Sequence, residues 1–274
     1  MRLRNERFAG VLPGQPAAAM KKRYEEEILG YLEKHEFFPS DKAAAHFGVS
    51  AATMRRVFAR MAKSALGQRV HGGLRRLPEE ISSNQIPFVV RGRWLADEKR
   101  RLAAKAMEFW PRGGTVFLHC GSTVLGMAHH IRGGTILTNS VNVCNVLMSR
   151  FAGGGGPEVV LLGGLLKLKS DILVGSWTEA MLREYRTDVM FFSARGMDEE
   201  GVLDTTDEEV AVPRVGIRGA AKRVMLADHS KFRKFGLRRM VSWKDVDVLV
   251  TSDHPKNRRW FKMIREHGVE VVFA

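Results

Sequence analysis

Two cysteines in 274 residues, Cys120 and Cys144, are too few for a disulfide framework and lack the paired spacing of a zinc site. His129, His130 and His254 are scattered without ligand spacing, so no metal is expected. The run Gly153–Gly156 matches no nucleotide fingerprint and reads as a flexible loop, and no cofactor is expected either. No apolar run is long enough to cross a bilayer, and the opening MRLRNERFAG is charged where a signal peptide would carry its apolar core. These absences lead us to expect a soluble, cytoplasmic protein with no membrane partner. The most local absence is of acid. Between Lys42 and Pro78 there is no Asp or Glu, whereas Lys42, Arg55, Arg56, Arg60, Lys63, Arg69, Arg75 and Arg76 are all basic.

That one-signed stretch belongs to a chain of net charge +14 and pI near 10.2, of which residues 1–76 carry +8. Such an excess favours a polyanionic partner. With 45% hydrophobic residues the chain can bury a sizeable core, and its length suggests two domains. Residues 1–20, with Pro13, Gly14 and Pro16 and no periodicity, read as a mobile arm. Residues 21–76 read as a DNA-binding domain, residues 77–92, with Pro78 and Pro87, as a linker, and residues 93–274 as an effector-binding domain.

Tyr24, Ile28, Tyr31 and Leu32 predict a first amphipathic helix. Ser40 can cap a second through Ala44, Ala45 and Phe47, which Gly48 ends at a tight turn. Ser50 can cap a third whose Met54, Val57, Phe58 and Met61 share one face, leaving Arg55, Arg56, Arg60 and Lys63 outward. Gln68–His71 then alternates like a strand and ends at Gly72-Gly73, as a wing would. An ordinary surface helix with a solvated basic face is the plainer alternative. A winged helix-turn-helix fits more of these signals, with Ser50, Ala51, Thr53, Arg55, Arg56, Arg60, Arg69 and His71 as candidate contacts to a double-stranded DNA operator.

The stretch Phe47-Gly48-Val49-Ser50, then Thr53-Met54-Arg55-Arg56-Val57-Phe58, then Arg69-Val70-His71-Gly72-Gly73 resembles the N-terminal domain of the DeoR family of bacterial sugar-metabolism repressors. In that family FGVS opens the recognition helix, TIRRDL follows and RVHGG closes the wing. Val57 stands where the family has Asp, and Ser64-Ala65-Leu66-Gly67 replaces its Gly-Leu-Leu-Arg approach to the wing.

Farther along, Trp94-Leu95, Leu102, Ala106, Met107 and Phe109 suit a helix. After it, short apolar runs alternate with helical segments: Thr115–Leu118, Thr135–Leu137, Val159–Leu162, Val189–Phe192, Arg223–Leu226, Val246–Val250 and Val269–Phe273. This is the pattern of an α/β domain, a mainly parallel, Rossmann-like sheet covered on both faces, which binds ligands at the carboxyl ends of its strands. At those ends lie Gly121-Ser122-Thr123, Thr138-Asn139-Ser140, Gly163-Gly164, Arg195-Gly196 and the Asp228–Lys231 turn. Hydroxyls and helix N-terminal amides there can hold a phosphate, although each turn taken singly could be an ordinary cap.

The order GST, TNS, GG, G-x-D, EE and DHSKF resembles the DeoR-type sugar-binding domain, which is related in fold to ribose-5-phosphate isomerase. The resemblance implies a phosphorylated sugar effector near Gly121, Ser122, Thr123, Thr138, Asn139, Ser140, Asp198, Glu208 and Lys231 that changes DNA affinity. His119 stands where the family supplies Asp, Arg195 replaces the residue before Gly196, and Pro213 replaces a Lys beside Arg214. A lost carboxylate and an added guanidinium suggest a more cationic pocket for a more anionic effector, or a site that has drifted out of use.

The expected function is a transcriptional regulator, a repressor, of a carbohydrate operon, working as a homo-oligomer because one winged helix covers few base pairs. The competing reading is an isomerase with a basic extension, its base drawn from Asp198, Glu208 or Glu209 and its charge from Lys231. A redox sensor through Cys120 has one motive, a thiolate favoured at a helix N-terminus.

Overall fold

The computed structural model describes residues 24–25, 27–32, 35–64, 66–77 and 88–274. The arm expected over residues 1–20 and residues 78–87 of the expected linker lie outside them. The chain divides into two compact units, Met1–Leu77 and Pro78–Ala274.

In the N-terminal unit a first helix, α1 (27–32), precedes β1 (Phe37–Pro39), α2 (Ser40–Phe47) and α3 (Ala51–Lys63). Two short strands follow, β2 (Gln68–Val70) and β3 (Gly73–Arg75). Ile28, Leu32, Phe38, Phe47, Met54, Phe58, Met61 and Leu74 are buried together. Phe38 lies at the middle of this core, stacked on Tyr31 at a 3.8 Å centroid distance and 6.2 Å from Phe58. The 3.6-residue period thus assigns the faces of α1 and α3 as expected.

Gly48 adopts φ 63°, the left-handed conformation that lets α2 stop and α3 leave in a new direction. Ser40 does not cap α2. Pro39 holds the N-cap position, and the Ser40 amide donates instead to the Gly72 carbonyl at 2.7 Å, tying the helix start to the wing turn. The wing does not end at Gly73 either. The chain reverses at His71-Gly72 and returns as β3, which is sandwiched antiparallel between β1 and β2.

The C-terminal unit opens with α4 (Phe88–Arg93) and α5 (Ala96–Ala106). Residues 88–92, read from sequence as the end of a linker, are therefore helical and belong to this unit. A seven-stranded sheet follows, built from β4 (Thr115–Leu118), β5 (Thr135–Thr138), β6 (Glu158–Leu161), β9 (Thr187–Phe192), β12 (Ala220–Ala227), β14 (Val248–Thr251) and β15 (Glu270–Phe273). These strands coincide with the seven apolar runs, and every pairing among them is parallel.

Alternation along the strands builds two cores. Val116, Leu118, Val189, Phe191, Val224, Leu226, Val248 and Val250 face α5 and α6 (Val141–Arg150). Phe117, Met190, Phe192, Met225 and Leu249 face the opposite layer, which includes α7 (Ser176–Arg183), α8 (Asp207–Gly219) and α9 (Arg258–Glu266). Both faces are covered, which is why the strands read as continuous apolar runs.

Two smaller sheets sit on this framework: a hairpin of β7 (Leu165–Lys167) with β8 (Ile172–Val174), and an antiparallel set of β10 (Gly196–Met197), β11 (Gly201–Asp204) and β13 (Arg238–Ser242). Neither was legible as strand in the sequence. α8 runs on through Pro213, whose missing N–H costs the helix one internal hydrogen bond.

Candidate functional site

The strand order β15-β14-β12-β9-β4-β5-β6 reverses between β4 and β9. From β4 the chain proceeds outward through β5 and β6, and from β9 it proceeds the other way. Loops leaving adjacent strands in opposite directions open a crevice between their carboxyl ends, where ligands of such sheets bind. A cleft does open there. It is lined by His119–Thr123 after β4, Ser193–Arg195 after β9 and Lys231 after β12, with Phe88 and Arg91 of α4, Asp204 of β11 and Glu209 of α8 around it.

Gly121 has φ 154°, and a Cβ there would lie 3.3 Å from that of Ser193, so only glycine brings this loop against its neighbour. The loop is also braced from β5. Asn139 Oδ1 accepts from the Cys120 amide at 3.2 Å while its Nδ2 donates to the Leu173 carbonyl at 3.1 Å. Thr138 Oγ1 donates to the Leu118 carbonyl at 2.7 Å, and Ser140 Oγ accepts from the Val143 amide as the cap of α6. Thr138, Asn139 and Ser140 are thus fully buried and committed to structure. They support the cleft rather than line it.

Of the other expected residues, Gly121, Ser122, Thr123, Arg195 and Lys231 line the cleft. Gly163, Gly164, Gly196, Asp198 and Glu208 do not. Gly163 and Gly164 follow β6, two strands from the switch point, and the Gly163 carbonyl accepts from Thr178 Oγ1 at 2.6 Å. Gly196 begins β10, packed against the Phe235 carbonyl. The Asp198 carboxylate accepts from the amides of Glu200 and Gly201, both at 2.9 Å, closing the β10–β11 turn. Glu208 points outward and pairs with Lys167 at 2.8 Å.

Its neighbour Glu209 does face the cleft, as Asp204 does. Thr206 caps α8 by accepting from the Glu209 amide, and its hydroxyl donates to the Glu209 carboxylate at 3.3 Å, so the Thr206-x-x-Glu209 spacing holds Glu209 at a fixed helix position. That spacing was readable, and it distinguishes Glu209 from Glu208. Three residues escaped sequence reasoning. Asp204 lies on β11, a strand too short to show a pattern. Arg91 lies in the segment read as linker. Lys99, buried behind the cleft, falls in phase with the buried stripe Leu102, Ala103 and Ala106, and a lysine on such a stripe is itself a signal.

The electrostatics correct the expectation of a simply more cationic pocket. Burial pushes the His119 imidazole down to about 3, so it is neutral at physiological pH and adds no charge. Arg195 lies 3.6 Å from Asp204 and 3.7 Å from Glu209, and its guanidinium is offset by these two carboxylates. Burial, outweighing Arg195, raises Asp204 to about 6. The motive for a reactive Cys120 also fails, because burial and then Asp204 and Glu209 push its thiol up to about 12.

The cations facing the cleft with less compensation are Arg91 and Lys231. Arg91 is lowered to about 10 by burial and by Arg195, and its Nε has no hydrogen-bond partner among the described residues. Lys231 is lowered by burial and by Arg195 and Arg91, against the pull of Asp228. Lys99 is lowered to about 8 by burial, with Lys231 and Arg91 adding repulsion. Desolvation works against the Asp228 carboxylate, but Lys231 and Lys99 hold it down at about 2. Mutual repulsion among cations around one crevice is relieved by an anion, and the hydroxyls and backbone of Gly121–Thr123 supply donors beside it.

On the N-terminal unit, Ser50 Oγ accepts from the Thr53 amide at 3.1 Å and caps α3. Ala51 begins that helix and Thr53 lies on its exposed first turn, with Arg55, Arg56 and Lys63 exposed along it. Arg60 is not wholly outward. It lies half-buried, 3.6 Å from Glu25 at the start of the chain's first helical stretch, because its position on α3 turns toward that helix. Arg69 Nη1 donates to the Gly73 carbonyl at 2.8 Å and braces the wing, at whose tip His71 is exposed.

Comparison with known proteins agrees with both halves. A model described as the DeoR-like helix-turn-helix domain matches residues 25–80, and one described as the DeoR C terminal sensor domain matches residues 95–253. The glycerol-3-phosphate regulon repressor of Escherichia coli (strain K12) is 29% identical over 89% of this chain and 95% of its own length. A lactose phosphotransferase system repressor of Staphylococcus epidermidis is 25% identical over 90% of this chain and 97% of its own. Among solved structures, ribose 5-phosphate isomerase A of Methanocaldococcus jannaschii superposes weakly, at a TM-score of 0.36 and 17% identity over 51% of this chain and 55% of its own. No described helix is long and apolar enough to cross a membrane.

Proposed function

The chain belongs to the DeoR family of helix-turn-helix regulators, and from that premise we propose that it represses a carbohydrate operon under the control of a phosphorylated sugar. The observation that carries this reading is α3, a capped helix with one face buried and Arg55, Arg56 and Lys63 exposed on the other. It suits the major groove, where Arg55 and Arg56 contact bases or phosphates and Ser50, Ala51, Thr53, Arg69 and His71 border the contact. The effector occupies the β4–β9 crevice, its phosphate held by Gly121–Thr123, Arg91 and Lys231. Two or more copies bind related half-sites.

Regulation rather than turnover fits the carboxylates. An enediol isomerisation needs a free base beside the reacting carbon, whereas Glu209 is engaged by the Thr205 and Thr206 hydroxyls and by Arg195. The test begins by selecting an operator from genomic fragments with the parent protein, and then titrates that duplex with Arg55→Ala/Arg56→Ala. Loss of roughly 1–3 kcal/mol per base contact, with the fold intact by circular dichroism, is expected. Equal binding by variant and parent at physiological salt would sink the reading.

A further inference from the structure

α9 carries an apolar face formed by Trp260, Phe261 and Ile264, all buried, and packs beside β15. Its other face is mainly basic, with the exposed Glu266 at the end of the helix as its one acid. Lys256 just before it, and Arg258, Arg259, Lys262 and Arg265 along it, are all exposed, with no acid between His254 and Arg265. Some exposed cations of this unit are paired with nearby acids: Arg183 with Glu179, Lys234 with Glu199, Arg238 with Asp207, Arg239 with Glu200. Among the described residues none of the five cations at α9 forms such a pair. The acid that feels Arg259, Glu199, is held by Lys234 at 2.8 Å.

Arg258, Lys262 and Arg265 repeat at i, i+4 and i+7, which puts them on one side of the helix. The stripe spans about 10 Å of helix. Each strand of duplex DNA carries one charge per about 3.4 Å of axis, so a stripe of this length can face roughly three phosphates. Two guanidiniums are steadied on rings, Arg259 5.8 Å from the Trp260 centroid and Arg265 5.7 Å from that of Phe273. Arginines held in this way lose less freedom on meeting a phosphate than free lysines do.

We propose that the α9 face is a second, sequence-independent contact for the phosphate backbone of duplex DNA, made outside the bases that α3 reads. The proposal goes beyond the reading of α3 and rests on it only in taking DNA as the polyanion. Positive charge on this unit then has a use that effector binding does not explain.

The test uses the full chain and two duplexes, the operator alone and the operator with long flanking arms. Arg258→Gln/Lys262→Gln/Arg265→Gln should lower the slope of log affinity against log salt by roughly 2–3 on the long duplex, at about 0.9 per lost phosphate contact. Operator preference should not change. A slope equal to the parent's on both duplexes overturns the proposal, and an acidic protein or anionic lipid as the true partner would give that result. Should the triple variant fold poorly, Lys262→Cys carrying a photo-crosslinker replaces it: adducts with the flanking arms are expected, and their absence from a bound complex overturns the idea. Failure of the α3 reading would show separately, as operator binding that survives Arg55→Ala/Arg56→Ala.

Discussion

Arg55 and Arg56 on α3, and Arg91 and Lys231 lining the crevice with Lys99 behind them, are both sets of clustered cations, yet they are held in opposite ways. The α3 arginines stand in water on a helix whose stability comes from its other face, so their mutual repulsion is screened. The crevice cations are partly or wholly withdrawn from water, and burial lowers all three. An exposed set can wait for a partner at little cost. A buried set is destabilised until a counter-charge arrives, so it favours a small anion that enters the cleft and strengthens each contact by excluding water.

If this contrast is right, the largest expected effect is on ligand binding. Arg91→Met/Lys231→Met should weaken a phosphorylated sugar about a hundredfold or more, at roughly 1.5–3 kcal/mol for each charged hydrogen bond lost. Calorimetry with the sugar found in a thermal-shift screen measures it, and operator affinity without ligand should stay at the parent's value. An unchanged dissociation constant would mean that the anion sits elsewhere.

A smaller effect should separate the units by pH. His119 titrates near 6.5 when unfolded and near 3 when folded, so between those values the unfolded chain binds more protons and stability falls as pH falls. At about 1.4 kcal/mol per unit, going from pH 6.5 to pH 5 costs about 2 kcal/mol through this group. Asp204 acts in the opposite sense below about pH 6, because its folded pKa is raised. Urea unfolding of His119→Asn at the two pH values should show a loss smaller than the parent's by that amount. An identical loss would mean that the imidazole is not desolvated.

The smallest effect belongs to the exposed region. Ser50→Ala removes the cap of α3 and should cost about 1 kcal/mol of stability, read by thermal unfolding. Ligand affinity in the crevice should not move, and if it does, the two regions are coupled in the free protein.

The run from Val49 to Gly73 was legible because recognition helix, cap, core face and charge all lie within one stretch of chain. A period of 3.6 then assigned α3, and short apolar runs between helical segments assigned the seven parallel strands, which are buried on both faces. The crevice was legible only in part. The strand-end turns were found as a set, but the sequence could not tell Gly121-Ser122-Thr123, which line the cleft, from Thr138-Asn139-Ser140, which brace it from below.

By itself, the sequence determined a basic winged unit joined to a parallel α/β unit, because local periodicity and charge survive in one dimension. Tertiary structure alone decided which turns meet. It set the order that reverses between β4 and β9, placed Asp204 of β11 at the cleft, and brought Arg91 from a segment without pattern to within reach of Arg195 and Lys231. It also decided that His119 is neutral and that Arg195 is offset by Asp204 and Glu209. The reason is that a side chain's charge depends on its burial and on neighbours contributed by other elements, and neither is written at its own position in the chain.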